Sequence, residues 1–60
     1  MRFRKNWQVV TFLYGERMPV NSWDKYRSNE RAVKEAQARE FDVEQDGISR
    51  LELYYTVEHV

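Results

Sequence analysis

The sequence predicts an α+β protein: a single ββαβ domain over residues 1–60, with one helix packed on one face of a three-stranded antiparallel sheet. An apolar run with strand-like alternation comes first, one strongly helical segment follows, and a second alternating run ends the chain. The chain has 60 residues and no cysteine, so its nine aromatic residues have to supply most of the core.

The first strand is expected at residues 7–14, W-Q-V-V-T-F-L-Y, which are largely apolar on both alternating faces. Such a run is typical of a strand at the centre of a sheet. Gly15 predicts a hairpin turn, with the second strand at residues 18–22. Because Pro19 has no N–H to donate, that strand belongs at a sheet edge. A polar loop is expected at residues 24–28.

The helix is expected over residues 28–41, capped at its start by Ser28 or Asn29. Its buried side is centred on Ala32, Val33 and Ala36, and its solvent side carries three i,i+4 pairs of opposite charge: Glu30–Lys34, Arg31–Glu35 and Glu35–Arg39. An Asp46–Gly47 turn leads to the last strand, whose buried face is expected to hold Leu51, Leu53, Tyr55 and Val57. A right-handed crossover gives the sheet order 2-1-3, with the first strand central.

One helix covers only one face of this sheet, so the other face is expected to meet a partner. We expect Trp7 to fill the core beside the small helix residues. The opposite face then presents an aromatic patch typical of interfaces, formed by Val10, Phe12, Tyr14 and Tyr54. The alternative is that Trp23, Tyr26 or Phe3 folds across and seals it. A homodimer would use the same face.

Charge is divided unevenly along a chain whose formal net charge is zero. Residues 1–34 carry eight basic and three acidic side chains, a net of +5, and residues 35–60 carry two and seven, a net of −5. Either the two halves pair with each other, or the surface has a basic and an acidic end that steer a charged partner. The acidic residues expected to compete for a basic partner surface are Glu40, Asp42, Glu44 and Asp46.

The sequence offers little for catalysis, and we expect neither an enzyme nor a cofactor. His59 is the one histidine, and no serine lies in a G-x-S-x-G setting. Residues 42–47 match the start of an EF-hand calcium loop at its first, fifth and sixth positions. The third and twelfth positions are Glu44 and Leu53, so we interpret this stretch as a helix exit and a turn, with no metal site.

Three features are similar to the arm-binding domains of phage integrases: a short hairpin, an S-x-E-R-A-V-x-E-A helix and a set of basic residues. The resemblance covers about half the chain and implies a sheet that enters a DNA groove. It would assign DNA contacts to Arg2, Arg4, Lys5, Arg17, Lys25 and Arg27. DNA binding is therefore the alternative function.

In size and topology the chain also resembles the small proteins with which phages and mobile elements block host machinery, anti-CRISPR proteins among them. That resemblance implies a class of function and no individual residues. Our leading hypothesis is a non-enzymatic protein-binding inhibitor that occludes a host protein or nucleoprotein complex. No segment has the length of a signal-peptide core or a membrane span, so we expect a cytoplasmic protein.

Overall fold

The structure, a computed structural model, describes residues 4–60 and is built from one long helix and a small antiparallel sheet. This confirms the α+β class. A 3-10 turn at Ser22–Asp24 precedes the third strand. In chain order the elements are β1 (Trp7–Leu13), β2 (Glu16–Arg17), β3 (Lys25–Tyr26), α1 (Asn29–Gln45) and β4 (Leu53–His59).

β1 lies at the centre of the sheet, as its apolar content predicts. β4 pairs with it along its whole length, from Trp7 opposite His59 to Leu13 opposite Leu53. The other side of β1 is shared by two short strands: β2 pairs with its end and β3 with its beginning. Every pairing is antiparallel, and both edges of the central strand are occupied over most of its length.

The second strand differs from the prediction. It is confined to Glu16–Arg17, whereas residues 18–22 were expected to form it. The Met18 N–H still donates to the Thr11 carbonyl at 2.9 Å, but Pro19 follows and has no N–H, so the ladder stops there. Pairing resumes at β3, inside the stretch predicted as a loop. The sheet therefore has four strands, because proline divides one edge into two pieces.

The helix begins and ends at capped residues. The Ser28 hydroxyl accepts a hydrogen bond from the Arg31 N–H at 3.2 Å, which confirms the predicted start. The far end lies at Gln45, one turn beyond the predicted end. Gly47 follows with φ 78, a left-handed conformation that glycine adopts without steric cost.

Two backbone hydrogen bonds close that end. The Gly47 N–H donates to the Glu44 carbonyl at 3.0 Å, and the Ile48 N–H donates to the Val43 carbonyl at 3.1 Å. This is the Schellman pattern of a helix C-terminus. The stretch compared with an EF-hand is thus the last helical turn and its cap.

The core lies between α1 and the sheet. Val9, Ala32 and Ala36 are its buried residues, and partly buried side chains pack around them: Trp7, Tyr26, Tyr55 and Val57. The alanines let the helix axis approach the sheet closely, so the strands supply the bulk, as predicted. Leu51 is an exception to the prediction: it lies in the turn before β4 and is 89% exposed.

Candidate binding surfaces at the two ends of the fold

The topology separates the two ends of the molecule. Two residues separate the end of β3, which pairs with the beginning of β1, from the start of the helix. After the helix the chain continues through residues 46–52 to Leu53, which lies opposite Leu13. α1 therefore runs in the same direction as β1. Its 17 residues span about 25 Å at about 1.5 Å per residue, which sets the distance between the ends.

An ion pair crosses the face of the sheet that the helix leaves open. Arg17 lies beside Phe12 on one edge, and Glu58 lies beside Gln8 on the other. The Arg17 guanidinium donates two hydrogen bonds to the Glu58 carboxylate, one of them at 2.6 Å. A line joining these positions passes over Val10, midway between Phe12 and Gln8. This explains why Val10 is fully buried on the face opposite the helix.

The same contacts shift the ionisation of the pair. Hydrogen bonds from Arg17 and then Gln8 lower the pKa of Glu58, since both stabilise its carboxylate form. The hydrogen bond to Glu58 raises the pKa of Arg17. The two chain halves of opposite charge are thus joined directly at this point.

The predicted aromatic patch is only partly accessible. The face is as predicted, since Trp7 packs on the core and Phe12 points to the other side. Phe12 stacks on Tyr54 with ring centres 4.9 Å apart and both side chains half-buried. Val10 offers no surface. Of the predicted covers, Trp23 is itself exposed, Tyr26 packs on the helix side, and Phe3 lies outside the described residues.

Tyr14 is the most accessible member of the patch, at 73% exposure. It lies with Gly15 in the two-residue turn joining Leu13 to Glu16. Its φ is 50 and that of Gly15 is 82, the pair of positive values found in a type I′ turn. The backbone N–H of Tyr14 donates to the Glu52 carbonyl at 2.8 Å, which joins the turn to the segment before β4.

The predicted acidic residues divide into one that is paired and three that are exposed. Glu40 accepts a hydrogen bond from Arg50 at 2.8 Å, and this contact raises the pKa of Arg50. Asp42, Glu44 and Asp46 are exposed, and none of their carboxylates lies within ion-pair distance of a cation in residues 4–60, although the charge of Glu44 also helps to raise the pKa of Arg50. Asp42 and Asp46 are one turn apart, and Glu44 points about 200° away, so these carboxylates surround the helix end.

These three carboxylates lie at the negative end of the helix dipole. The last turn contains no basic residue that would offset the dipole. Residues 46–52 connect this turn to Tyr14: the Ile48 N–H donates to the Val43 carbonyl, and the Glu52 carbonyl accepts from the Tyr14 N–H. We call Tyr14, the last helical turn and residues 46–52 the acidic end.

A groove at the opposite end carries the reverse charge. Its volume is about 490 Å³, within the range of ligand clefts. Four cations and two aromatic rings line it, which we call the basic groove: Lys5, Trp23, Lys25, Tyr26, Arg27 and Arg31. None of its lining residues within 4–60 is acidic, and Trp23 is 71% exposed.

Asp24 lies between two groove residues in sequence but is buried. Its carboxylate forms an ion pair with the Arg39 guanidinium at 2.8 Å and accepts a hydrogen bond from the Asn21 N–H at 3.0 Å. Arg39 also donates to Glu35 at 3.0 Å and lies 5.8 Å from the centre of the Tyr55 ring. Asp24 is therefore neutralised within the fold.

Sequence reasoning missed the groove as a unit. Lys5, Lys25 and Arg27 were named as candidate DNA contacts, but Trp23 was considered only as a cover, and Arg31 only as a helix charge. The signal available was the stretch 23–27, W-D-K-Y-R, in which two aromatic and two basic residues are interleaved. Of the other candidates, Arg17 is paired with Glu58, Arg4 is not among the lining residues, and Arg2 is outside the described residues.

Nothing in the described part of the chain forms a metal-binding cluster of three or more His, Cys, Asp or Glu side chains. The ring of His59 packs edge-on against Trp7 at 4.8 Å between ring centres. Within residues 4–60, no helix has the length and apolar character needed to cross a membrane. Comparison of the chain with protein-family models, curated proteins and solved structures found no match.

Proposed function

We propose that this protein is a non-enzymatic module that binds another protein through its acidic end. The observation that carries the proposal is Tyr14, a large aromatic side chain held exposed in a left-handed backbone conformation. Strained residues that their surroundings hold in place are found preferentially at functional sites.

The conformation of Tyr14 is costly, and packing of its side chain does little to offset that cost. A left-handed residue other than glycine costs about 1–2 kcal/mol, and type I′ turns strongly prefer Asn, Asp or Gly at this position. The side chain is 73% exposed, so burial of the ring recovers little of that energy. A protein selected for stability alone would carry Asn here.

The charges nearby point to the chemistry of the partner. Asp42, Glu44 and Asp46 make the electrostatic potential more negative at a helix end that is already negative. Tyrosine is enriched among residues that contribute most to protein–protein binding energy. An aromatic anchor beside exposed carboxylates complements a basic protein surface with an apolar pocket.

The mechanism we propose is occlusion: the bound protein covers a basic surface that its target needs. A phage or mobile-element inhibitor of a host protein or nucleoprotein complex, of the anti-CRISPR kind, is the most concrete form of this proposal. Its support is the charged, aromatic end described above.

The test compares immobilised wild type with Tyr14→Asn and Tyr14→Phe. Asn suits the turn, so Tyr14→Asn should stabilise the fold by about 1 kcal/mol, measured by urea unfolding. Immobilised wild type is incubated with a bacterial lysate, and each protein that it retains is purified. The dissociation constant of each purified protein is then measured for wild type and for both variants. Tyr14→Asn should weaken binding at least tenfold, while Tyr14→Phe keeps most of it.

A second variant tests the carboxylates, by changing Glu40, Asp42, Glu44 and Asp46 to their amides. Binding of the purified partner should weaken, and its salt dependence should flatten. Unchanged affinity in both this variant and Tyr14→Asn would refute the proposal.

A homodimer is the competing occupant of the same surface. Sedimentation equilibrium over a wide concentration range measures it directly. A mass that rises with concentration for wild type but not for Tyr14→Asn would assign the acidic end to a second copy of the chain. A constant monomer mass leaves it to a different protein.

A further inference from the structure

We propose that the basic groove binds single-stranded nucleic acid, with its cations on the phosphates and one base stacked on Trp23. This site lies at the opposite end of the fold from the proposed protein-binding surface, and it does not depend on that proposal. Four cations and an exposed indole around one concave surface form the arrangement that single strands require.

The carboxylate that lies between Trp23 and Lys25 in the chain is engaged within the fold. It belongs to Asp24, which is buried and paired with Arg39. Glu30, the neighbour of Arg31, is instead exposed and paired with Lys34. The groove also lies at the start of α1, where the helix dipole is positive, and Arg31 occupies the first turn. Placing cations there disfavours folding, which is understandable if an anion occupies the site.

Zero net charge does not weaken this argument. The acidic end lies about 25 Å away along the helix, and the Debye length at physiological ionic strength is about 8 Å. Phosphates approaching the groove therefore experience its local charge. The opposing carboxylates at the far end are screened.

Trp23 presents its ring from a fixed base. Asp24, the next residue, accepts from the Asn21 N–H at 3.0 Å, and its own N–H donates to the Asn21 carbonyl at 3.0 Å. The 3-10 turn holding the indole is thus closed by reciprocal hydrogen bonds. Because the turn is already fixed, stacking a base on this ring costs little backbone conformational entropy.

A single strand fits these features better than a duplex. Bases in a duplex are already stacked on one another, so the face of Trp23 has no base available to it. An unpaired strand presents both a free base and phosphates that can follow the groove.

The experiment measures fluorescence anisotropy of labelled dT15 with the full chain at 50 and 200 mM salt. If the four cations each neutralise one phosphate, affinity should fall about 50-fold between these salt concentrations. Trp23→Ala should weaken binding about tenfold or more, since stacking contributes that much per base. Circular dichroism confirms that each variant is folded.

Arg31→Gln and Lys34→Gln form the matched pair. Both remove one cation from the same helix, but Lys34 does not line the groove and is paired with Glu30. Arg31→Gln should weaken dT15 binding severalfold and reduce the salt dependence, while Lys34→Gln changes affinity less than twofold.

Competitors separate the other ligands. Unlabelled dT15 should displace the probe at lower concentration than a duplex of equal length, heparin or polyglutamate. The proposal is overturned by absence of dT15 binding at 50 mM salt, by equal effects of Arg31→Gln and Lys34→Gln, or by heparin or polyglutamate competing as well as dT15. Unchanged affinity in Trp23→Ala would leave only a general anion site and also overturn it.

Discussion

Replacing Asp24 by Asn tests whether the buried ion pair holds the 3-10 turn and β3 against the helix. The Asp24 and Arg39 side chains are 11% and 24% exposed and 2.8 Å apart. A hydrogen bond to a charged group in such surroundings contributes about 1.5–3 kcal/mol. Asn keeps the shape and can still accept from the Asn21 N–H, so Asp24→Asn should lose about 2 kcal/mol.

Asp24→Ala should lose about 3 kcal/mol, because it also leaves the Asn21 N–H without its side-chain acceptor. A 60-residue protein has a total stability of about 3–9 kcal/mol, so either change is large. In thermal unfolding, 2 kcal/mol corresponds to a fall of about 8–16 °C in Tm.

The control is Glu30→Gln, which breaks the i,i+4 pair with Lys34. Those side chains are 79% and 74% exposed and 3.5 Å apart. Such pairs contribute about 0.3–0.5 kcal/mol. Urea unfolding of both variants compares them directly. An Asp24→Asn loss within 0.5 kcal/mol of the Glu30→Gln loss would refute the structural role assigned to the buried pair.

Two further predictions concern pH and the helix end. Because the pKa of Glu58 is lowered in the fold, its contribution is present above the ordinary Glu value of about 4.3 and is lost as pH falls through the folded value. Unfolding of wild type and Glu58→Gln should therefore differ most near pH 7 and converge at strongly acidic pH; an equal difference at both would contradict this. Gly47→Ala should lower the free energy of unfolding by about 1 kcal/mol because φ is 78; no atom lies within 4 Å of the added Cβ, so a steric clash does not contribute. Gly47→Asn should lower it by less, and equal losses would show that the backbone conformation is not the cause.

The long elements were predictable because their signals are local. The apolar run of β1 and the charge pairs and cap of α1 each occupy one continuous stretch, where period and capping residues can be counted. β2 and β3 have two residues each, too short for any period to show. Their pairing is determined by where Pro19 interrupts the edge of the sheet.

The contacts that define the candidate sites were less accessible to sequence reasoning. Arg17 and Glu58 are 41 positions apart and meet only because the registers of β2 and β4 on β1 bring them across Val10. The partial closure of the open face therefore follows from register. Tyr14 was predicted as a partner contact from its apolar character, but its positive φ depends on the two-residue length of the turn.

The placement of charge along α1 connects the two proposed sites. Stable helices carry acids at the start and bases at the end. Here the first turn holds Arg31 beside Glu30, and the end departs further from the rule, with Asp42, Glu44 and Asp46 at or beside the last turn and no base in it. Local rules are broken in this way mainly where function requires it. A nucleoprotein target presents basic protein surface beside exposed single strands. If one target lets the acidic end and the basic groove bind at the same time, the second contact becomes intramolecular. Wild type should then bind that target more tightly than a variant in which only one of the two sites is intact.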